Sequence, residues 1–364
     1  MRVKLKDITK FSKGTQINGK NLIDDGAYSY LNGGINPSGK WNEFNVAENT
    51  VTISEGGNSS GYVNYMNEAF WCGAHCYYLY DGPKNSKYLY YALKSQQERL
   101  FRIRSGACMP NIKKSDLGNF IIEYEEDETR QEEVVKVLEK CELLIEDYNK
   151  KLALLDEAVR ARFVEMFGDL RVNDKGWKYY KLDELTELIT DGEHATPKRT
   201  TQGIYLLSAR NVLNHQLSLE DVDYIDYDEF SRISRRIIPR EGDVLISCSG
   251  SIGRCCVVPK NIKFQMVRSI ALLRFKSNIN PVFAEYMITS DYLQDQINKS
   301  KTVSSQANLF QGKIKSLKGV VPPLELQNQF ASFVQEIDKS RSRIQKSLEA
   351  SQELFDSLMQ EYFG

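Results

Sequence analysis

Three histidines and seven cysteines are the side chains of this 364-residue chain best suited to proton transfer, nucleophilic attack or metal binding. The densest group is Cys72-Gly-Ala-His75-Cys76. It offers three ligands, whereas a structural zinc site takes four and usually draws them from two paired knuckles. The adjacent Cys255 and Cys256 would point to opposite faces of a strand. We therefore expect no metal site and no catalytic residue, and a strand core lined with free thiols.

The elements that would position any functional side chain occur twice in the sequence. Glu165-Met-Phe-Gly168 returns as Glu361-Tyr-Phe-Gly364, at an offset of 196 residues. From position 134 to 166, residues spaced alternately by four and three are apolar at nine of ten places, and eight of the ten equivalent places from 330 to 362 are apolar. A period of 3.5 residues over about five heptads is typical of a coiled-coil seam. The pattern predicts two long helices, at 128–168 and 323–364.

Each predicted helix follows a segment of mixed character. Residues 1–127 and 169–322 contain short runs rich in Val, Ile and Tyr between clusters of Gly, Asn and Ser, a pattern that indicates strands and turns. Helical stretches are predicted at 86–100 and 281–298. The sequence therefore predicts an α+β fold with two mixed α/β domains, one joined to each long helix, and an internal repeat of about 196 residues.

Composition excludes a membrane protein. No segment approaches the roughly 20 consecutive apolar residues of a transmembrane helix. The first residues lack the apolar stretch of a secretory signal. Together with cysteines that need no disulfide partner, this favours a reducing cytoplasm.

One order of parts is present twice: a globule ending in a hydrophobic strand, a turn, and a heptad helix closing on Phe-Gly. In the second copy the turn reads Pro322-Pro-Leu-Glu-Leu-Gln327; in the first, the run from Glu123 to Gln131 replaces the proline turn. This order resembles the specificity subunit of a type I restriction-modification enzyme, over essentially the whole chain. Other matching runs are Tyr30-Leu-Asn-Gly-Gly-Ile-Asn-Pro-Ser38, Asp191-Gly-Glu-His-Ala-Thr-Pro197, Glu241-Gly-Asp-Val-Leu-Ile246 and Gly250-Ser-Ile-Gly253-Arg254.

The resemblance implies a DNA-reading subunit without catalytic activity. Residues 1–127 and 169–322 would be target recognition domains, each reading one half of a bipartite, asymmetric site in double-stranded DNA. The helices would pack as an antiparallel coiled coil, set the spacer between the half-sites and dock two methyltransferase subunits, and through them the restriction subunits. The chain would bind no cofactor, because S-adenosylmethionine is expected in the methyltransferase. The resemblance also implies the cytoplasm of a bacterium or archaeon, with no membrane partner.

The distribution of charge agrees with this assignment. The whole chain carries 48 basic and 49 acidic side chains, a net charge of −1 that by itself argues against a nucleic-acid partner. By segment, however, residues 1–124 carry +4, residues 125–168 carry −6, residues 169–322 carry +4 and residues 323–364 carry −3. Basic globules are expected to face phosphates. A solvated surface without a ligand is the alternative interpretation of such charge.

The resemblance also suggests which side chains contact DNA. Arg and Asn suit the edges of guanine and adenine, whereas Ser, Thr and Lys commonly bind phosphates. In the first domain the candidates are Asn36, Ser38, Lys40, Asn58, Ser59, Ser60, Tyr62, Arg104 and Lys113. In the second domain they are His194, Thr196, Lys198, Arg199, Arg210, Asn211, Ser249, Ser251 and Arg254. The alternative is that the same Gly-rich runs are ordinary turns with solvated polar residues.

Two enzymatic interpretations find no support in the sequence. DNA amino-methylation uses an Asn-Pro-Pro-aromatic motif, and the Asn-Pro pairs here continue as Asn36-Pro-Ser and Asn280-Pro-Val. A nuclease of the Pro-Asp type is excluded because no Pro-Asp occurs. The remaining alternative is a coiled-coil adaptor whose globules bind protein or carbohydrate.

Overall fold

The computed structural model of the chain describes residues 1–106, 108–300 and 308–364. They form two compact units, one made of Met1–Lys151 with Ile344–Gly364 and the other of Leu152–Arg343. Each unit combines strands, short helices and part of two long helices. The predicted α+β class is confirmed.

The first unit is built on three sheets in its described residues. Its strands are β1 (Arg2–Lys4), β2 (Lys10–Lys13), β3 (Tyr28–Leu31), β4 (Gly39–Trp41), β5 (Thr50–Ser54), β6 (Val63–Met66), β7 (Phe70–Cys72), β8 (Cys76–Tyr80) and β9 (Ile121–Glu123). Its helices are α1 (Leu5–Ile8), α2 (Ser86–Lys94), α3 (Gln97–Arg102), α4 (Lys114–Gly118) and the first part of α5 (Glu128–Phe167). The strand orders are β2-β8-β5-β6, β4-β3-β7 and β1-β9.

The second unit repeats this plan. Its strands are β10 (Tyr179–Lys181), β11 (Thr186–Asp191), β12 (Arg199–Thr200), β13 (Ile204–Leu207), β14 (Val212–Leu213), β15 (Gln216–Leu217), β16 (Asp223–Ile225), β17 (Val244–Ser247), β18 (Cys255–Val257), β19 (Phe264–Met266), β20 (Ile270–Phe275) and β21 (Lys318–Val320). Its helices are α6 (Leu182–Leu185), α7 (Tyr227–Ser234), α8 (Pro281–Thr289), α9 (Asp291–Ser300), α10 (Gln311–Ser316) and the first part of α11 (Leu324–Phe363). The strand orders are β11-β20-β17-β18, β12-β16-β13-β19, β10-β21 and β14-β15.

The three sheets of the first unit each have a counterpart in the second, which adds the short β14–β15 ribbon. Each unit has an antiparallel four-stranded sheet. Each has a second sheet with one parallel pair, β3–β7 in the first unit and β13–β19 in the second. In each, a two-stranded antiparallel ribbon, β1–β9 or β10–β21, leads into a long helix. The internal repeat predicted from the sequence is therefore a repeat of structure.

The two long helices begin in different ways at equivalent places. α11 starts at Leu324, directly after Pro322-Pro323, because proline fixes φ and is accepted only at the start of a helix. α5 starts at Glu128, where the Asp127 carboxylate accepts a hydrogen bond of 2.9 Å from the Thr129 amide. Both helices are 40 residues long, and their first residues differ by the predicted offset of 196.

A buried glutamine anchors the start of each long helix. Gln131 is 3% exposed, and its Nε2 donates to the Glu125 carbonyl oxygen at 2.6 Å. Gln327 is 0% exposed; its Nε2 donates to the Pro322 carbonyl oxygen at 2.8 Å, and its Oε1 accepts from the Asn280 amide at 2.8 Å. Because a buried amide must be hydrogen bonded, these contacts tie each helix to the segment that precedes it.

Within each unit the long helices run antiparallel. In the first unit, Val134 near the start of α5 shares a core with Phe363 at the end of α11. In the second, Phe330 near the start of α11 shares a core with Phe167 at the end of α5. The predicted seam positions are all buried or half-buried, which confirms the 3.5-residue pattern.

The two predicted helical stretches at 86–100 and 281–298 are each divided into two helices. The break falls after α2 at Ser95 and after α8 at Ser290. Each serine Oγ donates to the carbonyl oxygen three residues earlier, at 3.0 Å in Ser95 and 2.6 Å in Ser290. Serine side chains compete in this way with the helical backbone bonds. Both stretches are helical as predicted, and each is interrupted at its serine.

Candidate nucleic-acid interface

Hydrogen bonds join three loops of the first unit. The Gly33 carbonyl oxygen accepts hydrogen bonds from the hydroxyls of Ser54 and Ser59, the latter at 2.6 Å. The Asn58 carbonyl oxygen accepts from Arg104 Nη1 at 3.2 Å. These contacts join the loop at 32–38, the loop at 55–61 and the segment that follows α3.

The candidate residues of the first unit fall into two groups. Asn58, Ser59, Arg104 and the loop bearing Asn36 and Ser38 are brought together by these contacts. Lys40 is exposed on β4, opposite Ser29, and belongs to the second sheet instead. Tyr62 is half-buried, and its ring lies 3.8 Å from the Lys94 ammonium, so it takes part in a cation–π contact inside the unit.

A lysine-rich cleft of about 560 Å³ adjoins the loop at 55–61. Lys13, Lys113 and Lys114 line it together with Glu55. Lys13 Nζ lies 2.7 Å from Glu55 Oε1, and His75 Nδ1 lies 3.4 Å from Glu55 Oε2. The cleft therefore keeps an excess of positive charge, which suits a phosphate.

In the second unit, the loop that follows β11 is fixed to α7 and the residues after it. His194 Nε2 lies 2.7 Å from one Asp191 oxygen, and the other oxygen accepts from Arg236 at 2.6 Å. Burial raises the pKa of the Asp191 carboxyl, but the hydrogen bonds from Arg236 and His194 outweigh it and hold that pKa below its usual value. The Lys198 amide donates to Glu229 of α7 at 3.1 Å. Thr196 is exposed on the same loop.

Two candidate arginines meet at a single carboxylate. Arg199 Nε lies 3.0 Å from Asp223 Oδ2, and Arg210 Nη2 lies 3.2 Å from Asp223 Oδ1. Arg210 Nε is also 3.5 Å from Asp221. Arg199 and Arg210 stand 11 residues apart on different elements, so only the fold brings them together.

The loop between β17 and β18 is held by Ser247. Its hydroxyl donates to the Ser251 carbonyl oxygen at 2.5 Å and accepts from the Arg254 amide at 3.0 Å. Gly253 has φ +91°, and a Cβ there would lie 2.8 Å from the Gln294 amide oxygen, so this position requires glycine. Ser249 pairs through its backbone with Asn308.

The fold and these loops can be compared with known proteins. The sequence matches the family of type I restriction modification DNA specificity domains over residues 1–156 and 174–352. The chain belongs to this family.

Individual relatives agree with the family match. The chain is 32% identical over 209 residues to a protein of Mycoplasma pneumoniae named as a type I specificity subunit, with 50% of this chain and 56% of that protein covered. A protein of the same description from Mycoplasma genitalium is 32% identical over 201 residues, with 48% and 52% covered. The chain thus spans about half the length of the curated relatives it matches.

The fold is shared with a solved structure. The crystal structure of the S subunit of a type I restriction-modification system from M. genitalium superposes with a TM-score of 0.68 at 19% identity, over 100% of this chain and 96% of that one. It supports the two-unit specificity-domain architecture described above.

Two candidate contacts in this specificity-domain fold are corrected by the structure. Ser60 is 0% exposed, and its hydroxyl donates to the Glu55 carbonyl oxygen at 2.8 Å. Asn211 is 0% exposed; its Oδ1 accepts from the Ser208 amide at 3.0 Å, and its Nδ2 donates to the Ser218 carbonyl oxygen at 3.2 Å. Both side chains are buried and hydrogen bonded to the backbone of their own loops. They therefore have no polar group available to contact a DNA base.

The sequence interpretation also missed basic side chains of the specificity-domain loops. In the second unit, Arg232, Arg236 and Arg268 surround the loop that carries His194, since the Arg268 amide donates to the Glu193 carbonyl oxygen at 3.0 Å. In the first, Lys13 and Lys114 line the same cleft as Lys113. The available signal was the basic stretch from Arg232 to Lys318, which marks a segment without singling out residues.

Six of the seven cysteines are buried free thiols. Cys72 and Cys76 are buried, and the Cys72 thiol donates to the Cys76 carbonyl oxygen at 3.4 Å. Burial raises the pKa of the Cys248 thiol to about 12, which disfavours a reactive thiolate. In the described ranges, no three His, Cys, Asp or Glu side chains are grouped so that they could hold a metal ion. None of the helices described is both long and apolar enough to span a membrane.

Proposed function

We propose that this chain is the non-catalytic DNA-reading subunit of a type I restriction-modification system, and that each unit reads one half of a bipartite, asymmetric site in double-stranded DNA. The observation that carries the proposal is the repeat of one sheet topology with different loop residues. Equivalent scaffolds present Asn58 and Arg104 in one unit and His194, Arg199 and Arg210 in the other. Two unlike readers select two unlike half-sites.

The charge of the loops supports DNA as the ligand. Lys113 and Lys114 of the first unit have no ion pair with a carboxylate in the described residues, and the same is true of Arg254 and Arg268 in the second. Cations left without a local counter-charge attract the phosphate backbone, and each phosphate contact releases counterions.

The long helices fit the proposed roles of spacer and docking platform. A 40-residue helix is about 60 Å long, and B-DNA rises about 34 Å per turn. Helix length would therefore fix how far apart the half-sites lie. Leu143 and Leu154 of α5 are 63% and 61% exposed, and Leu354 of α11 is 52% exposed. We propose that such apolar side chains contact two methyltransferase subunits, which bind S-adenosylmethionine and recruit the restriction subunits.

Domain exchange tests this proposal. Replacing residues 169–322 with the equivalent segment of another specificity subunit should change one half-site and leave the other half-site and the spacer unchanged. The matched control replaces residues 1–127 and should change the opposite half. A replacement that altered both halves would refute the modular proposal. If the unsubstituted chain selects no DNA sequence in the presence of the methyltransferase, the result would favour a coiled-coil adaptor that binds protein or carbohydrate.

A further inference from the structure

The two arginines that share Asp223 form a cluster of zero formal charge. Arg199 and Arg210 are each 45% exposed, Asp223 is 30% exposed and Asp221 is 83% exposed. Two guanidinium groups and two carboxylates cancel. Such a cluster attracts a phosphate far less than a free cation does, because the approach of a third anion gains little net Coulomb energy.

The same cluster is well built for hydrogen bonding. Each arginine uses only some of its five N–H donors to bind Asp223, so other donors on each guanidinium are available for a second acceptor. A carboxylate bonded to part of a guanidinium restricts the rotation of the arginine side chain. Less conformational entropy is then lost when the remaining donors bind a base. The guanine edge offers two acceptors, O6 and N7, that match the arginine fork.

The backbone around the cluster is fixed. Asp223 lies on β16, which pairs with β12 on one side and β13 on the other. Arg199 lies on β12, and Arg210 lies in the short 3-10 turn at 209–211 whose last residue is the buried Asn211. The Tyr205 and Tyr224 rings pack at 5.7 Å across β13 and β16. Both arginines are therefore presented by backbone that is paired or hydrogen bonded to neighbouring segments.

We propose that Asp223 is a positioning residue that presents Arg199 and Arg210 as guanine readers of the second half-site. This inference rests on the proposed function. It separates Arg199 and Arg210, which a shared carboxylate neutralises and which would read bases, from unpaired cations such as Arg254 and Arg268, which would bind phosphates. The second half-site should therefore contain at least one guanine whose recognition depends on Arg199 or Arg210.

The test uses the full chain assembled with its methyltransferase subunits. Selection from a random duplex pool gives the preferred site, and affinities for that site and for its single-base variants are then measured between 50 and 200 mM salt. R199A and R210A should each reduce discrimination at one guanine by about 5- to 150-fold, with little change in the salt slope. R268A is the matched control: it should lower the slope by about one without changing any preferred base.

D223N separates positioning from a general loss of structure. The substitution removes one negative charge, so non-specific affinity should rise while discrimination at the guanines falls. Unfolding would instead lower both the non-specific affinity and the discrimination at the guanines. D223E, which keeps the carboxylate, should discriminate better than D223N.

Two results would overturn the inference while leaving the proposed function intact. In one, R199A and R210A weaken binding to all sequences equally and lower the salt slope by about one each, as phosphate contacts do. In the other, the guanines remain fully discriminated in D223N. Failure of the unsubstituted complex to select any bipartite sequence would instead refute the proposed function itself.

Discussion

Truncation of Phe167 to alanine should destabilise the second unit strongly. Phe167 ends α5 and is 0% exposed. Its ring centroid lies 4.9 Å from that of Phe163, 4.7 Å from that of Phe283 and 5.5 Å from that of Phe330. The side chain therefore joins both long helices to α8 within one aromatic cluster. Its removal leaves a cavity that rigid neighbouring rings cannot fill.

The expected magnitude follows from this packing. A buried Phe→Ala change costs about 3–5 kcal/mol, and aromatic pairs add about 0.5–1.5 kcal/mol each to the area that they bury. Three such pairs place Phe167→Ala near the upper end of that range. With a urea dependence of about 3 kcal/mol per M for a unit of this size, a loss of about 4–5 kcal/mol should lower the unfolding midpoint by about 1.3 to 1.7 M.

Trp177 provides the assay. Its indole Nε1 donates to the Phe167 carbonyl oxygen at 2.8 Å, so its fluorescence reports on this end of α5. Replacing Trp41 and Trp71, which belong to the first unit, with phenylalanine leaves Trp177 as the single tryptophan. Leu154→Ala is the matched control, because this side chain lies on the same helix at 61% exposure and should shift the midpoint by less than about 0.2 M.

The reasoning is refuted if Phe167→Ala moves the Trp177 midpoint no further than Leu154→Ala does. That result would mean that the aromatic cluster contributes nothing to the stability of the second unit.

Three further predictions follow from single residues. Burial raises the pKa of Glu285 above its usual value, against the opposing contact with His215 Nδ1 at 3.3 Å, so the folded protein holds a proton that the unfolded chain releases. Deprotonation of Glu285 therefore lowers the stability of the folded protein as pH rises above about 4.5, and E285Q lacks this loss. In urea titrations, the free energy of unfolding of E285Q minus that of the unsubstituted protein should increase across pH 4.5–7.5. A difference that stays constant with pH would contradict the prediction. Q327L should cost about 2–5 kcal/mol because it strands buried backbone partners, whereas the exposed Q329L should be nearly neutral in the same titrations. K113A should lower the salt slope of DNA binding by about one and change no preferred base in a binding assay between 50 and 200 mM salt; a changed base preference would count against a phosphate contact.

Much of the fold could be predicted because its signals are periodic and repeated. The 3.5-residue seam and the offset of 196 residues depend only on the spacing of apolar residues, so the sequence alone displays them. The seam nevertheless placed Met166 and Tyr362 on the buried stripe, whereas Phe167 and Phe363 beside them are buried more deeply. At its ends each helix is covered by a globule as well as by the other helix, and a heptad pattern does not reveal that second contact.

The candidate interface was less predictable because its contacts join distant residues. The convergence of Arg199 and Arg210 on Asp223 depends on strand pairing, which no local motif announces. Asn211 has the residue type of a base reader, but the carbonyl group of Ser218 occupies its amide. Whether a polar side chain faces solvent or the backbone of its own loop is decided by the tertiary structure.

Selection from a random duplex pool, with the full chain assembled with its methyltransferase subunits, tests the central claim most directly. We predict enrichment of two different short sequences at one fixed spacing, with affinity that falls steeply as salt rises from 50 to 200 mM. A pool that emerges without any enriched sequence, or with a single uninterrupted motif, would contradict the account.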